Sequence, residues 1–146
     1  MKDIIETPRL ILRELAYSDA QDLFVLDSDI LVNKYLGEKP VNSIDHCNEI
    51  IRHVREQYQQ NGYGRFAVVI KQTNEFIGWS GLKLEKEIMP TPYVDLGFRF
   101  IPKYWKKGYG FESAMASLRY GFNTLNVDRI NAAAHVDNTG SNRLLQ

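Results

Sequence analysis

Residues 102–112 carry the strongest chemical signal in the chain: Pro102, Lys103, Tyr104, Trp105, Lys106, Lys107, Gly108, Tyr109, Gly110, Phe111 and Glu112. A strand pattern stops at Pro102. Gly108 and Gly110 permit a tight turn with close backbone approach, and a helical pattern starts at once. Successive N–H groups at such a helix start form a cradle for an anion, and the helix dipole favours negative charge there. Lys106 and Lys107 add positive charge. A diphosphate fits this arrangement. Taken alone, the same residues also fit a plain turn with two solvated lysines. The segment is neither a P-loop, since GxxxxGK[ST] is absent, nor a dinucleotide fingerprint, since GxGxxG is absent.

Other reactive side chains carry weaker signals. Asp95 shares a strand face with Tyr93 and Gly97, and is either a proton acceptor or a solvated strand residue. Ser141 reads as a plain helix residue near the chain's end. His46 and His53 flank Glu49 at helical spacing, but a metal site needs a third and often a fourth ligand, and no metal is expected. His135 ends a late strand and reads as packed or surface-exposed. Cys47 falls on an apolar stripe, as a core residue. Gly78, Ser80 and Gly81 lack the final glycine of a nucleophile elbow, because Leu82 stands there. Trp79, Tyr93, Tyr104 and Tyr109 are either substrate contacts or core aromatics, with Trp79 assigned to the core.

The elements that position these groups follow from periodicity. Residues 9–15 form a strand. Ser18 with Gln21 three residues on predicts a capping box and a short helix through Leu23, Phe24 and Leu26. Asn42 and Ser43 open a longer helix striped by Ile44, Cys47, Ile50, Ile51, Val54 and Tyr58, which ends near Gly62. Residues 65–70 and 76–82 form a hairpin about a turn at 72–75. In the strand 93–101, Val94, Leu96, Phe98 and Phe100 alternate with Tyr93, Asp95, Gly97 and Arg99. The next helix carries Phe111, Ala114, Met115, Leu118 and Phe122 on one face. A strand over 129–136 and the start of a last helix follow. The order β-α-α-β-β-β-α-β-α predicts an α+β fold with a mixed, mostly antiparallel sheet flanked by helices.

Composition narrows the class. The 146 residues suit a single domain, and 44% apolar content supplies one core. Lys plus Arg and Asp plus Glu both count 18, so there is no basic surplus to argue for nucleic acid. The lone cysteine makes an internal disulfide impossible and is compatible with a cytoplasmic protein. The first residues lack the apolar core of a signal peptide. No apolar run approaches the ~20 residues of a membrane span.

In order, the strand, Pro102, Trp105, Gly108, Gly110 and the helix resemble the pyrophosphate motif of the GNAT superfamily of acetyl-CoA-dependent N-acetyltransferases. Trp105 stands where that motif usually has Arg or Gln. This departure resembles the ribosomal-protein N-terminal (alanine) acetyltransferase subgroup, as do the opening Glu6, Thr7, Pro8, Arg9, Leu10, Ile11, Leu12 and Arg13 and the late Asp137, Asn138 and Ser141. The resemblance covers residues 6–146. It implies one acetyltransferase domain over 1–146 that moves acetyl from acetyl-CoA to a primary amine, of a peptide N-terminus or a small molecule. It further implies that the backbone of Phe98, Arg99 and Phe100 meets the pantetheine arm. Asn138 meets that arm from the other side. The pyrophosphate sits on the N–H groups of Trp105, Lys106, Lys107, Gly108, Tyr109, Gly110 and Phe111. Asp95 would take the amine proton and Ser141 would serve the departing sulfur, since Leu145 stands where family members often carry Tyr. In the family two more strands follow, so the chain reads as C-terminally incomplete, as completed by a second copy in a homodimer, or as a degenerate relative. The alternative function is a non-catalytic CoA-binding or interaction module derived from such an enzyme.

Overall fold

A computed structural model describes residues 3–32, 43–86 and 88–132. The elements are β1 (Asp3–Glu6), β2 (Leu10–Glu14), a 3-10 turn (Tyr17–Asp19), α1 (Ala20–Asp27), α2 (Ile44–Asn61), β3 (Arg65–Ile70), β4 (Phe76–Glu85) and β5 (Tyr93–Phe100). A second 3-10 turn (Pro102–Tyr104), α3 (Tyr109–Arg119), a π-helical turn (Tyr120–Thr124) and β6 (Ile130–Ala132) follow. The six strands form one sheet in chain order. Every neighbouring pair is antiparallel except β5 and β6, which run parallel. The expected mixed, mostly antiparallel sheet flanked by helices is therefore observed, with β1 as an additional edge strand.

Each hairpin and helix end has a local cause. Between β3 and β4, Asn74 takes the left-handed conformation at φ 62°, which Asn tolerates in a turn. Helix α2 starts where the Ser43 hydroxyl accepts the His46 N–H at 3.2 Å and stops at Gly62, φ 81°. The capping box expected from Ser18 and Gln21 does not form. Asp19 does the capping instead: its carboxylate accepts the Ala16 N–H at 2.8 Å and is held by both terminal nitrogens of Arg13 at 2.8 Å, while Ser18 stays exposed. The helical turn thus opens at Ala16, two residues before Ser18, which lies inside the turn and not at its cap.

The sheet is covered on both faces. On one, α1 and α2 bury Leu23, Leu26, Cys47 and Ile51 against Ala67 and Val69. On the other, Leu10, Leu12, Val68 and Ile77 pack with Phe100 and Tyr104, and Ala114 of α3 seats against Leu82 and Leu96. Each fully buried Leu or Ile contributes about 1.5–3 kcal/mol.

The buried face of α3 agrees with expectation at Ala114 and Leu118 and differs at the phenylalanines. Ser113, Ala114, Ala116 and Ser117 turn inward, whereas Phe111 and Phe122 are exposed. Small residues let the helix lie close to the sheet. Gly121 in the π-helical turn shows how close: a Cβ there would sit 2.7 Å from the Leu82 side chain and 2.8 Å from that of Ile130. Large side chains cannot enter that gap and take the outer side.

Candidate functional site

The loop between β5 and α3 is shaped by two left-handed residues. Gly108 has φ 84° and Lys106 has φ 60°. For Gly108 this costs nothing. For Lys106 it costs roughly 1–2 kcal/mol, so the surroundings must hold it. The loop's own hydrogen bonds lie at its two ends: the Trp105 N–H donates to the Pro102 carbonyl at 3.0 Å, and the Glu112 N–H to the Gly108 carbonyl at 3.0 Å. In between, the amides of residues 106–111 donate to no acceptor among the described residues, as the start of a helix requires. Alternating left-handed residues feeding a helix start concentrate N–H groups on one concave side, suited to a phosphate.

This geometry corrects one expected ligand. Trp105 cannot offer its amide, because Pro102 already takes it; its indole N–H is also spent, on the Phe100 carbonyl at 2.7 Å. Trp105 acts as a peg that ties the loop to the end of β5. The loop amides without an acceptor among the described residues are those of Lys106, Lys107, Gly108, Tyr109, Gly110 and Phe111. Lys106 and Lys107 are exposed beside it.

Gly110 has a different role from Gly108. It is helical, and a Cβ there would meet the Phe98 ring at 3.3 Å. Its missing side chain lets α3 rest on Phe98 and Phe100, whose rings lie 5.7 Å apart.

Strand register sorts the backbone of β5. The Ile101 N–H donates to the Ile77 carbonyl at 2.9 Å, and the β4–β5 pairing runs without a bulge from Gly78–Phe100 to Glu85–Tyr93. In an antiparallel pair, hydrogen-bonded and non-hydrogen-bonded positions alternate. Arg99, opposite Trp79, therefore spends its backbone groups on β4. Phe98 and Phe100 direct theirs to the opposite edge, where β6 pairs alongside Val94 and Leu96. The expected trio of outward backbone ligands reduces to Phe98 and the Phe100 N–H.

The Arg99 side chain lies on the sheet face opposite Phe98 and Phe100. It pairs with Asp27 of α1 at 2.8 Å, with Asp27 almost wholly buried. Arg65 pairs with Asp95 at 2.8 Å and also donates to the carbonyls of Gly81 and Asp95. Burial pushes the Arg65 guanidinium down from its ordinary value, and the Asp95 hydrogen bond and charge oppose this. Both guanidiniums lie near the Trp79 ring, at 5.3 and 5.5 Å from its centroid. Asp95 is thus a fixed, half-buried member of a polar belt beside the apolar core, and not a freely solvated carboxylate.

Of the remaining candidates, Asn138, Ser141, His135 and Leu145 lie outside the described residues. Cys47 is buried. His46 and His53 are exposed, and no group of metal-ligating side chains is found among the described residues. Ser80 is fully buried within extended β4 and is no nucleophile elbow. Tyr104 is buried and donates to Glu75 at 2.9 Å, anchoring the loop to the β3–β4 turn. No helix among the described residues is long and apolar enough to cross a membrane.

Sequence reasoning missed one set of partners. Thr7, Arg9 and Glu112 meet directly behind the loop. The Arg9 backbone N–H and its Nε donate to the two Glu112 carboxylate oxygens at 2.9 and 2.7 Å, and the Thr7 hydroxyl donates to the first of these. Their types were visible; their separation of 103 residues left no local pattern to read.

The family model described as "Acetyltransferase (GNAT) domain" matches residues 9–146, and the chain belongs to that family. It is 32% identical over 145 residues to the uncharacterized N-acetyltransferase YoaA of Bacillus subtilis (strain 168), covering 99% of this chain and 81% of YoaA. It resembles the crystal structure of a GNAT-family acetyltransferase from Bacillus anthracis, with a TM-score of 0.78 and 28% identity over 97% of this chain and 79% of that one. The fold is shared at lower identity by RimL, a ribosomal α-N-protein acetyltransferase in complex with coenzyme A (TM-score 0.77, 20% identity, 98% and 80% coverage). It is also shared by a spermidine N-acetyltransferase from Vibrio cholerae in complex with CoA and spermine (TM-score 0.75, 23% identity, 95% and 79% coverage).

Proposed function

We propose that the chain binds acetyl-CoA on the loop between β5 and α3 and transfers its acetyl group to a primary amine by direct attack. The observation that carries this is the run of amides at 106–111, which donate to no acceptor among the described residues and include left-handed Lys106 and Gly108. These amides would hold the diphosphate, with Lys106 and Lys107 adding charge. The Phe98 backbone and the Phe100 N–H would meet the pantetheine arm. Asn138 is proposed to complete that contact.

In the reaction, a neutral amine nitrogen attacks the thioester carbonyl and its N–C bond forms; the C–S bond then breaks, the nitrogen gives up one N–H proton and the departing thiolate takes one up. The protein's part is to remove a proton from the ammonium, hold the carbonyl oxygen and supply a proton to sulfur. Asp95 is the proposed proton acceptor, through water, held in place by Arg65. Ser141 is the proposed donor to sulfur. A cytoplasmic location goes with this reading, since an unpaired thiol suits a reducing compartment.

For the acceptor, the subgroup resemblance carried by the opening Glu6–Arg13 segment and by the Trp105 variant of the loop favours a peptide N-terminal α-amine. The test is thiol release from acetyl-CoA with peptides beginning in Ala or Ser, set against polyamines and aminoglycosides. Turnover of peptides supports the assignment. Turnover of a small amine alone overturns it but keeps the transferase reading, whereas CoA binding without turnover of any amine leaves a binding module.

A further inference from the structure

We infer that Arg9 is a positioning residue that sets the direction of the loop amides from behind. This rests on the reading of that loop as the diphosphate site. The Arg9 guanidinium touches the loop at several points. Its Nη1 donates to the Lys107 carbonyl at 2.9 Å, its Nε pairs with Glu112 at 2.7 Å, and its carbon centre lies 4.4 Å from the centroid of the Tyr109 ring. Its Nη2 stands 3.2 Å from where a Gly108 Cβ would be.

The Lys107 carbonyl is the informative contact. It belongs to the peptide plane that joins Lys107 to Gly108, with left-handed Lys106 one residue before it. In a planar trans peptide the carbonyl and the following N–H point in opposite directions. A guanidinium that holds the Lys107 carbonyl therefore turns the Gly108 N–H away from Arg9, toward the concave side. Without that hold the plane is free to rotate, and the amide array loses a donor at its centre.

Glu112 supplies the second half of the argument. A carboxylate in the first turn of α3 repels a diphosphate bound at the same helix start. Here both of its oxygens are taken, by the Arg9 backbone and side chain and by Thr7. The brace neutralises the one acidic group of the turn and uses it to fix Arg9, so that the guanidinium fork has one arm on the helix and one on the loop.

The alternative is that Arg9 merely ties the start of β2 to α3. Two measurements separate these readings: calorimetric titration of CoA, and the orientation of the Gly108 N–H in the unliganded protein, read from residual dipolar couplings. Arg9→Ala should weaken CoA binding by about tenfold or more and change the Gly108 coupling. Arg9→Lys should recover little, because an ammonium cannot bridge helix and loop at once. Glu112→Gln should weaken binding less, since it keeps an acceptor for Arg9, and its effect should not add to that of Arg9→Ala. An Arg9→Ala protein that melts earlier, yet binds CoA and keeps the Gly108 coupling of the parent, overturns the inference. If the parent protein itself fails to bind CoA, the diphosphate reading falls. The Gly108 coupling then decides on Arg9 alone: a changed coupling upholds the brace, and an unchanged one removes it.

Discussion

The Arg65 guanidinium occupies the space that a side chain at Gly97 would need: a Cβ on residue 97 would sit 3.0 Å from its Nη2. The missing side chain thus makes room for the partner of Asp95. Because that guanidinium is pinned by Asp95 and by two carbonyls, it cannot swing away cheaply. Gly97→Ala should cost about 1–3 kcal/mol by overpacking, read from urea unfolding. Asp95→Ala should cost about 3 kcal/mol or more, because it leaves Arg65 buried without its carboxylate. Asp95→Asn keeps the shape and tests the chemistry. Its kcat should fall far more than its KM for acetyl-CoA rises, and an unchanged kcat would take Asp95 out of the mechanism.

The two loop glycines should fail in different ways. Gly108→Ala places a side chain at φ 84° and should weaken CoA binding by strain in the cradle. Gly110→Val drives a branched side chain into the Phe98 ring, so its first effect should be a loss of stability of about 1–3 kcal/mol. Lys106→Gly relieves a left-handed non-glycine and should raise stability by about 1 kcal/mol. Thermal melts with and without CoA read all three. Gly110→Val melting like the parent while losing CoA would show that Gly110, too, is needed for phosphate approach.

Acid should loosen the brace. Burial alone would raise the Glu112 carboxyl, but hydrogen bonds from Thr7 and Arg9 outweigh it and hold the group below its ordinary value of 4.5. A depressed folded-state pKa adds stability above the unfolded value and loses it as pH falls through the folded one. The contribution should thus be complete at neutral pH and fade below about 4.5. Unfolding midpoints measured between pH 6 and 3 on the parent and on Glu112→Gln should converge as pH drops. Parallel curves would mean that Glu112 is not tightly held.

Cys47 gives an alkaline counterpart. Burial, with a smaller push from Asp27, raises its thiol from 9.0 to about 11. The folded state resists ionising this group, so its contribution is intact below 9.0 and declines as pH rises toward 11. At neutral pH the native thiol should react with iodoacetamide far more slowly than the same residue in urea. Equal rates would mean that the core around Cys47 opens readily.

Local patterns carried much of the architecture. The stripe from Ile44 to Tyr58 marked α2, Ser43 and Gly62 marked its ends, and the alternation from Val94 to Phe100 marked β5 with its two faces. Each of these signals lies within one element, where side-chain period and backbone geometry are tied directly. The reading of α3, right for Ala114 and Leu118, failed at its two phenylalanines for the opposite reason. Phe111 and Phe122 have the hydrophobicity of a core face, but the approach of helix to sheet admits only residues the size of Ser113, Ala114 and Gly121. That spacing belongs to the packed molecule and to no single segment.

The sequence alone determined the strand–loop–helix cradle, because Pro102, Gly108 and the start of α3 are neighbours in the chain and their backbone preferences act locally. Tertiary structure decided which groups of the site remain available. Register assigned the Arg99 backbone to β4, Pro102 and Phe100 consumed the two N–H groups of Trp105, Arg65 claimed Asp95, and Arg9 reached Glu112 across the chain. An N–H already committed to a protein acceptor is not offered to a ligand, and the acceptor that takes it is set by the fold.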